Sequence, residues 1–512
     1  MKDRIENKGM VSLERLLFRR QFLLGPTIYT PNPYWSCILL PGELYLSVHN
    51  DLPFATSAQE GATLTLIGHA IDPFHPLHTN EEVLHSLIEN AQDLQALILA
   101  TKPLVGRWIL IFQNHQGTCL FTDPCGFRQV FYHSDGKQVW CASQPELIRA
   151  NSPLSLNSDE TMMRFLTDQS HAREESAWVG SSTMYSDCFH LMPNHYLNLE
   201  CMEQTRFYPS NSIQVEDFQK IVELSCAILQ GTMTALTARS DVSMALTAGW
   251  DSRVLLAASK HVCERIEYFV YHNGDMAENH PDILVPGLIA KKLGIEFVVK
   301  KPAVELPGWF VSMLSHNVSC ARILPKTHII YQKLISGENR ININGNGSEI
   351  CRNYFDKYAK NDFSDVSSIE LASKLLGKNS QPEFAVRELN QWKETFDFLP
   401  DGNWNILDFL YWEQRMGNWG AQYPAEQDIA IEEISPFNCR QLLEILVSSP
   451  KKMRTAPDYS LYMEMIRHMW PEALSFPFNP LPKGHLVDRL KRKFHKNVPT
   501  SMEPMLKRVL RS

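Results

Sequence analysis

Asp251 asks most strongly for a chemical explanation. It stands in Ala245-Leu246-Thr247-Ala248-Gly249-Trp250-Asp251-Ser252-Arg253, where a short apolar run, Val242 to Leu246, gives way to small residues and then to a helical pattern from Ser252 to Lys260. Such a loop presents backbone N–H groups to an anion, and the helix that follows adds positive potential at its N-terminus. Thr247 and Ser252 can add hydroxyl donors. A carboxylate at Asp251 would repel a bare phosphate, but it makes sense when Mg2+ lies between the two. The segment therefore reads as a magnesium–pyrophosphate site built from Leu246, Thr247, Ala248, Gly249, Asp251 and Ser252. It is not a P-loop, because the Walker A spacing is absent.

The elements around this loop follow from periodicity. Val215 to Ala238 reads as a long helix, Val242 to Leu246 as a strand, Ile266 to Tyr271 as a second strand and Glu296 to Lys300 as a third. Ile283 to Leu293 reads as a helix closed by Gly294. Strand, helix, strand, helix, strand predicts a parallel sheet with helical crossovers. Beyond about residue 360 the pattern is mainly helical. Before Pro209 it is strand-rich: Trp35 to Leu40, Leu44 to His49, Leu64 to His69, Gly106 to Gln113, Thr118 to Thr122, Gln129 to His133 and Gln138 to Ser143, with one helix over 81–100. The 512 residues exceed one ordinary core. Two domains are expected, 1–210 and 211–512.

Composition narrows the class. Hydrophobic residues make up 44% and charged residues 21%, with a formal charge of −8, so no general attraction to nucleic acid or anionic membrane is expected. Basic residues between Lys483 and Arg511 read as a solvated helix face, with a patch that meets phosphates or an acidic substrate as the alternative. The 11 cysteines form no CxxC pair, and reduced thiols in a cytoplasmic protein are the simplest account. No signal peptide or apolar run of membrane-spanning length is expected. The 18 histidines contain no HExxH or HxxxH pair, so a metalloenzyme of that kind is not signalled. Met416 and Trp419, with Tyr411, Trp412 and Arg415, read as helix core, with Arg415 as an alternative ligand for an acidic group.

The loop Thr247 to Ser252 resembles the SGGxDS pyrophosphate loop of the asparagine synthetase family and other ATP pyrophosphatases, here written TAGWDS. Further segments of that family's pattern follow in order. Tyr268-Phe269-Val270-Tyr271 resembles the strand whose backbone reads adenine, which implies a role for Val270. Asn342-Ile343-Asn344-Gly345-Asn346-Gly347-Ser348-Glu349 resembles the SGEGSDE loop. The match implies that Asn344 and Gly345 contact the nucleoside and that Glu349 joins Asp251 in holding Mg2+. Asn346 takes the place of the loop's glutamate; it can hydrogen-bond a substrate but cannot act as a base. Ser435-Pro436-Phe437-Asn438-Cys439-Arg440 resembles the PFLD.R segment. Leu481 to Gly484 resembles the late PKxGF loop, which makes Lys483 the candidate for stabilising charge at the α-phosphorus; His485 lies beside it.

The first region also resembles this family, through Gly106-Arg107-Trp108, Thr122 to Phe127, Val130-Phe131-Tyr132 and Ala142 to Pro145. That order is found in glutamine amidotransferase domains, which need an N-terminal cysteine as nucleophile. Here the first cysteine is Cys37, read as a core strand residue, so glutamine hydrolysis is not expected, and Asp123 is assigned a structural role. The resemblance spans about Trp35 to Lys493. It implies an Ntn-type αββα sandwich followed by an ATP-pyrophosphatase, Rossmann-like parallel-sheet domain with a helical C-terminal part. It further implies an AMP-forming amide ligase that uses ATP and Mg2+. The substrates would be a small-molecule or peptide carboxylate and an amine, as in β-lactam synthetases and lasso-peptide macrolactam synthetases. An ammonia-dependent asparagine synthetase and a nucleotide-binding pseudoenzyme or partner subunit are the alternatives. A homodimer or a pathway partner protein is left open.

Overall fold

The computed structural model describes residues 12–90, 93–168, 171, 175–210, 217–272, 276–277, 279–356, 366–377, 382–396 and 404–480. Lys483, His485 and the basic C-terminal stretch lie outside the described residues.

Two antiparallel sheets form the first region. One holds β1 (Phe22–Gly25), β2 (Trp35–Leu40), β3 (Leu44–His49), β8 (Phe131–Ser134), β9 (Val139–Ala142) and β10 (Cys188–His190), in the order β10-β8-β9-β1-β3-β2. The other holds β4 (Phe54–Gln59), β5 (Ala62–Ile71), β6 (Val105–Asn114), β7 (Gly117–Thr122), β11 (His195–Asn198) and β12 (Glu203–Arg206), in the order β12-β11-β7-β6-β5-β4. Alternate residues of both sheets, among them Phe22, Leu46, Ile109 and Leu120, meet face to face. The outer face of the second sheet packs on helix Asn80–Asn90 through Val83, Leu84 and Leu87. The outer face of the first packs on helix Pro145–Arg149 through Leu147 and Ile148. The layers therefore run helix, sheet, sheet, helix.

The second region is built on five parallel strands: β13 (Val242–Ala245), β14 (Ile266–Tyr271), β15 (Phe297–Lys300), β16 (Ile341–Ile343) and β17 (Glu432–Ile434). Their order is β15-β14-β13-β16-β17. The chain winds outward from β13 to β15 and then returns to the other side of β13. The gap between β13 and β16 is thus the point where strand order reverses, the usual place for a ligand crevice in open α/β sheets. Helix Phe218–Arg239 feeds β13. It has a mean hydropathy of 1.3 over its most apolar window and is long and apolar enough to cross a membrane, contrary to the sequence expectation. In this fold 61% of that window is buried, against helices Arg440–Ser448 and Ser460–Met469.

The two regions share a buried ionic joint. The Arg107 guanidinium grips both Asp428 carboxylate oxygens at 2.6 and 2.7 Å and reaches Glu432 at 3.0 Å. Arg128 donates to Glu432 at 2.7 Å. All four side chains are buried, so each charge depends on its partners.

Candidate functional site

The loop after β13 and the loop after β16 lie side by side at the carboxyl ends of adjacent parallel strands. Leu246 is fully buried, and its N–H donates to the Phe269 carbonyl, which fixes the loop's origin. Helix Trp250–Ala258 begins directly afterwards, two residues earlier than the sequence pattern places it, with Gly249 as its N-cap. Thr247, Gly249 and Asp251 are half-buried, while Ala248, Trp250 and Ser252 are buried. Ala248 does not take a positive φ, so alanine fits where the resembled loop has glycine.

The loop's polar groups are largely turned on one another. Thr247 N–H donates to Ser252 Oγ at 3.2 Å, and the two hydroxyl oxygens lie 3.1 Å apart. Gly249 N–H donates to Thr247 Oγ1 at 3.3 Å. Ala248 N–H donates to Asp282 Oδ1 at 3.0 Å, so a carboxylate already sits where an anion would be expected. Asp282 belongs to helix Pro281–Leu293, whose N-cap is His280.

From the other side comes Asn344 to Glu349. Gly345 meets Asp251 so closely that a Cβ added there would lie 2.6 Å from the Asp251 Cβ. Only glycine permits this approach. Ser348 Oγ donates to Asp251, and Tyr462 Oη donates to the Ser348 carbonyl at 2.8 Å. Asn344 Nδ2 donates to Glu433 at 3.0 Å, and its Oδ1 accepts the Asn346 N–H, so this side chain is engaged within the protein. Asn346 is half-buried, and its carbonyl accepts from Ser435 Oγ. Val270 lies buried one residue from the end of β14, paired with Val299.

Asp251 and Glu349, the two expected metal ligands, do face one cation: the Arg352 guanidinium, with Nη2 at 2.9 Å from Asp251 and 3.3 Å from Glu349. Burial and the neighbouring Asp251 charge push the Glu349 carboxyl up to about 7, against the pull of Arg352. Arg415 adds a smaller downward pull on Glu349 while its guanidinium stacks over Trp419, 4.3 Å from the ring centroid. Its helix, Leu410–Gly420, is wound as a π-helix with Tyr411, Trp412 and Met416 in the core. The two carboxylates and the Ser348 hydroxyl are an all-oxygen donor set of the kind Mg2+ takes. They fit the ion in type, provided Arg352 gives way.

A strap from Phe476 to Asn479 runs over the loop. Asn479 N–H donates to the Ala248 carbonyl at 3.0 Å, and Phe478 stacks on Trp250 with ring centroids 3.6 Å apart. Arg253 ties the strap down by donating to the carbonyls of Phe476 and Pro477 at 2.7 and 3.1 Å. Sequence reasoning missed Arg352, Asp282, Ser348 and this strap. Arg352, three residues after Glu349 on the same short helix, was the available signal.

The family-like residues of the first region do different work. Asp123 is buried and accepts the N–H groups of Phe127 at 2.9 Å and Arg128 at 2.8 Å, and Asn438 Nδ2 at 2.7 Å. The PFLD.R-like segment therefore meets Asp123 at the joint between the regions. Cys37 is half-buried on β2, an edge strand, which corrects its assignment to the core.

No family model and no curated protein matches the chain. Among solved structures, a tRNA thiolase from Methanococcus maripaludis aligns at 12% identity over 61% of this chain and 85% of its own, with a TM-score of 0.23. An NH3-dependent NAD synthetase from Campylobacter jejuni, in complex with nitrate, aligns at 14% identity over 36% of this chain and 76% of its own, TM-score 0.19. The glutamine phosphoribosylpyrophosphate amidotransferase from B. subtilis, complexed with ADP and GMP, aligns at 11% identity over 66% of this chain and 73% of its own, TM-score 0.23. Likenesses at these scores carry no argument about what this chain does.

Proposed function

We propose that this chain is an ATP-dependent ligase that joins a carboxylate to an amine through an acyl-adenylate. The carboxylate and ATP give the acyl-adenylate and pyrophosphate; an amine then displaces AMP, forming the amide and releasing a proton. One observation carries the reading: a small-residue loop opening a helix, and a second loop bearing Glu349, flank the reversal point of a parallel sheet and bring Asp251 and Glu349 onto one cation. Thr247, Gly249 and Ser252 are proposed to turn their donors from one another to the pyrophosphate. Asp251 and Glu349 would hold Mg2+, which would supply neutralising charge at the phosphates. Arg352, released from the carboxylates, remains a cation within reach of the same anion. Asn346 can hydrogen-bond a substrate, and Lys483 is proposed to act at the α-phosphorus.

Pyrophosphate release is the test, measured with Mg2+ and ATP across a library of carboxylates. Substrate-dependent release that Asp251→Ala abolishes is the expected result. A second reading, a nucleotide-binding pseudoenzyme, draws on Arg352 already bridging the carboxylates and Asp282 already holding a loop amide. ATP binding without pyrophosphate from any carboxylate would favour it and sink the ligase.

A further inference from the structure

We infer that the turn from Asp72 to His78 binds one divalent transition cation, of the class that Zn2+ represents, at a place remote in sequence from the loops described above. The turn joins β5 to helix Asn80–Asn90. His75 N–H bonds back to the Asp72 carbonyl at 3.3 Å, and His78 N–H to the His75 carbonyl at 3.0 Å. Two successive three-residue turns bring side chains at i, i+3 and i+6 onto one side, as in a 3-10 helix. One donor atom each from Asp72, His75 and His78 therefore falls within 4.8 Å of the others.

The chemistry of the three is that of a metal triad: two imidazoles and one carboxylate suit Zn2+ and its neighbours better than Mg2+ or Ca2+. Asp72 divides its work. Oδ1 accepts the Phe74 N–H at 2.9 Å and holds the turn, while Oδ2 lies 2.8 Å from His75 Nδ1. His78 Nδ1 is out of solvent with no hydrogen-bond partner, and the His75 and His78 rings stack 4.8 Å apart. A cation must lie in the plane of each ring, so one ring turns on binding. His75, with 62% of its side chain exposed, has the room. Three protein ligands leave a further position for water or a small ligand on the exposed side.

The turn is held by a rigid support. Arg239 donates to the Ala70 carbonyl at 2.8 Å and also to the His78 carbonyl. In helix Phe218–Arg239, a Cβ at Gly231 would fall 1.9 Å from the Pro73 carbonyl oxygen, so glycine there lets the turn seat against the helix. The ligands are thus mounted on a support that spans both regions of the chain.

The full-length chain, stripped of metal, is titrated with Zn2+ by calorimetry. Saturable binding of one equivalent is expected, weakened at least tenfold in His75→Ala and in Asp72→Asn. Asp72→Asn keeps an Oδ1 acceptor for the turn, and His75 is exposed, so both variants should melt like the parent without Zn2+; circular dichroism checks this. The titration is run without ATP in a large excess of Mg2+, which occupies an oxygen-donor site at Asp251 and Glu349 and leaves the imidazoles to Zn2+, so this inference and the ligase reading fail separately. No saturable one-equivalent binding, or equal binding in parent and both variants, overturns it.

Discussion

The two regions carry family-like motifs of similar quality in sequence, yet they use their polar residues in opposite ways. In the double-sheet region, Arg107, Asp123 and Arg128 are buried and turned onto protein partners. In the parallel-sheet region, Asp251 and Glu349 keep 24% and 26% of their side chains exposed and face one another across a single guanidinium. Committed groups hold a body together. Partly open groups sharing one counter-ion can exchange it for a ligand. A motif legible in sequence does not tell whether its residues serve chemistry or only architecture.

Among single substitutions, breaking the buried joint should have the largest effect. Arg107→Ala takes from Asp428 its main counter-charge and from Glu432 one of two, and removal of one partner from a buried pair costs about 3–5 kcal/mol. Urea unfolding should show that loss; a change under 1 kcal/mol would mean the joint is not held by these ions.

Acid and base should act with opposite sign on three buried histidines of the first region and on Glu349 of the second. Burial holds His49, His190 and His195 down at about 4, from 6.5. The unfolded chain therefore takes protons first, and stability falls as pH drops below about 6.5 toward 4. Three such groups together cost up to about 4 kcal/mol per pH unit. Glu349 is displaced the other way, from 4.5 to about 7. Its contribution is present at low pH and is lost as pH climbs from 4.5 through 7, so Glu349→Gln should gain on the parent over that interval. Melting curves against pH would show this; a parallel pair of curves would contradict the Glu349 shift.

The smallest expected effect on folding, and the sharpest on function, is at the loop contact. Gly345→Ala forces the two loops apart at Asp251, costing about 1–3 kcal/mol. Fluorescent ATP analogue binding should weaken at least tenfold. Unchanged binding would remove the second loop from the site.

Local signals that agree with tertiary context were readable in the sequence. Ile266–Tyr271 forms the strand that its β-branched and aromatic residues predict, and Gly294 closes its helix at φ 70°. The region 81–100 reads as one helix because apolar spacing continues across it, but Asp93 caps Ala96 N–H and starts a second helix, Leu94–Ala100. The strand β17 was hidden because Glu432 and Glu433 look unlike a core strand; their charges are matched by Arg107, Arg128 and Lys333 from distant segments. The same reason hid Asp282, since its contact with Ala248 is made across elements and leaves no periodic trace, whereas Arg352 was within reach of a local reading. The loops themselves were legible because small residues between an apolar strand and a helix are a local arrangement.

The joint at Arg107 and Arg128 also bears on truncation. Glu432 in the edge strand β17 and Asp428 just before it draw their counter-ions from the neighbouring sandwich, so the parallel sheet depends on the sandwich's bulk. Gene fragments that discard the first 210 codons would strand Asp428 and Glu432 without those partners, whatever chemistry the remaining part was meant to keep.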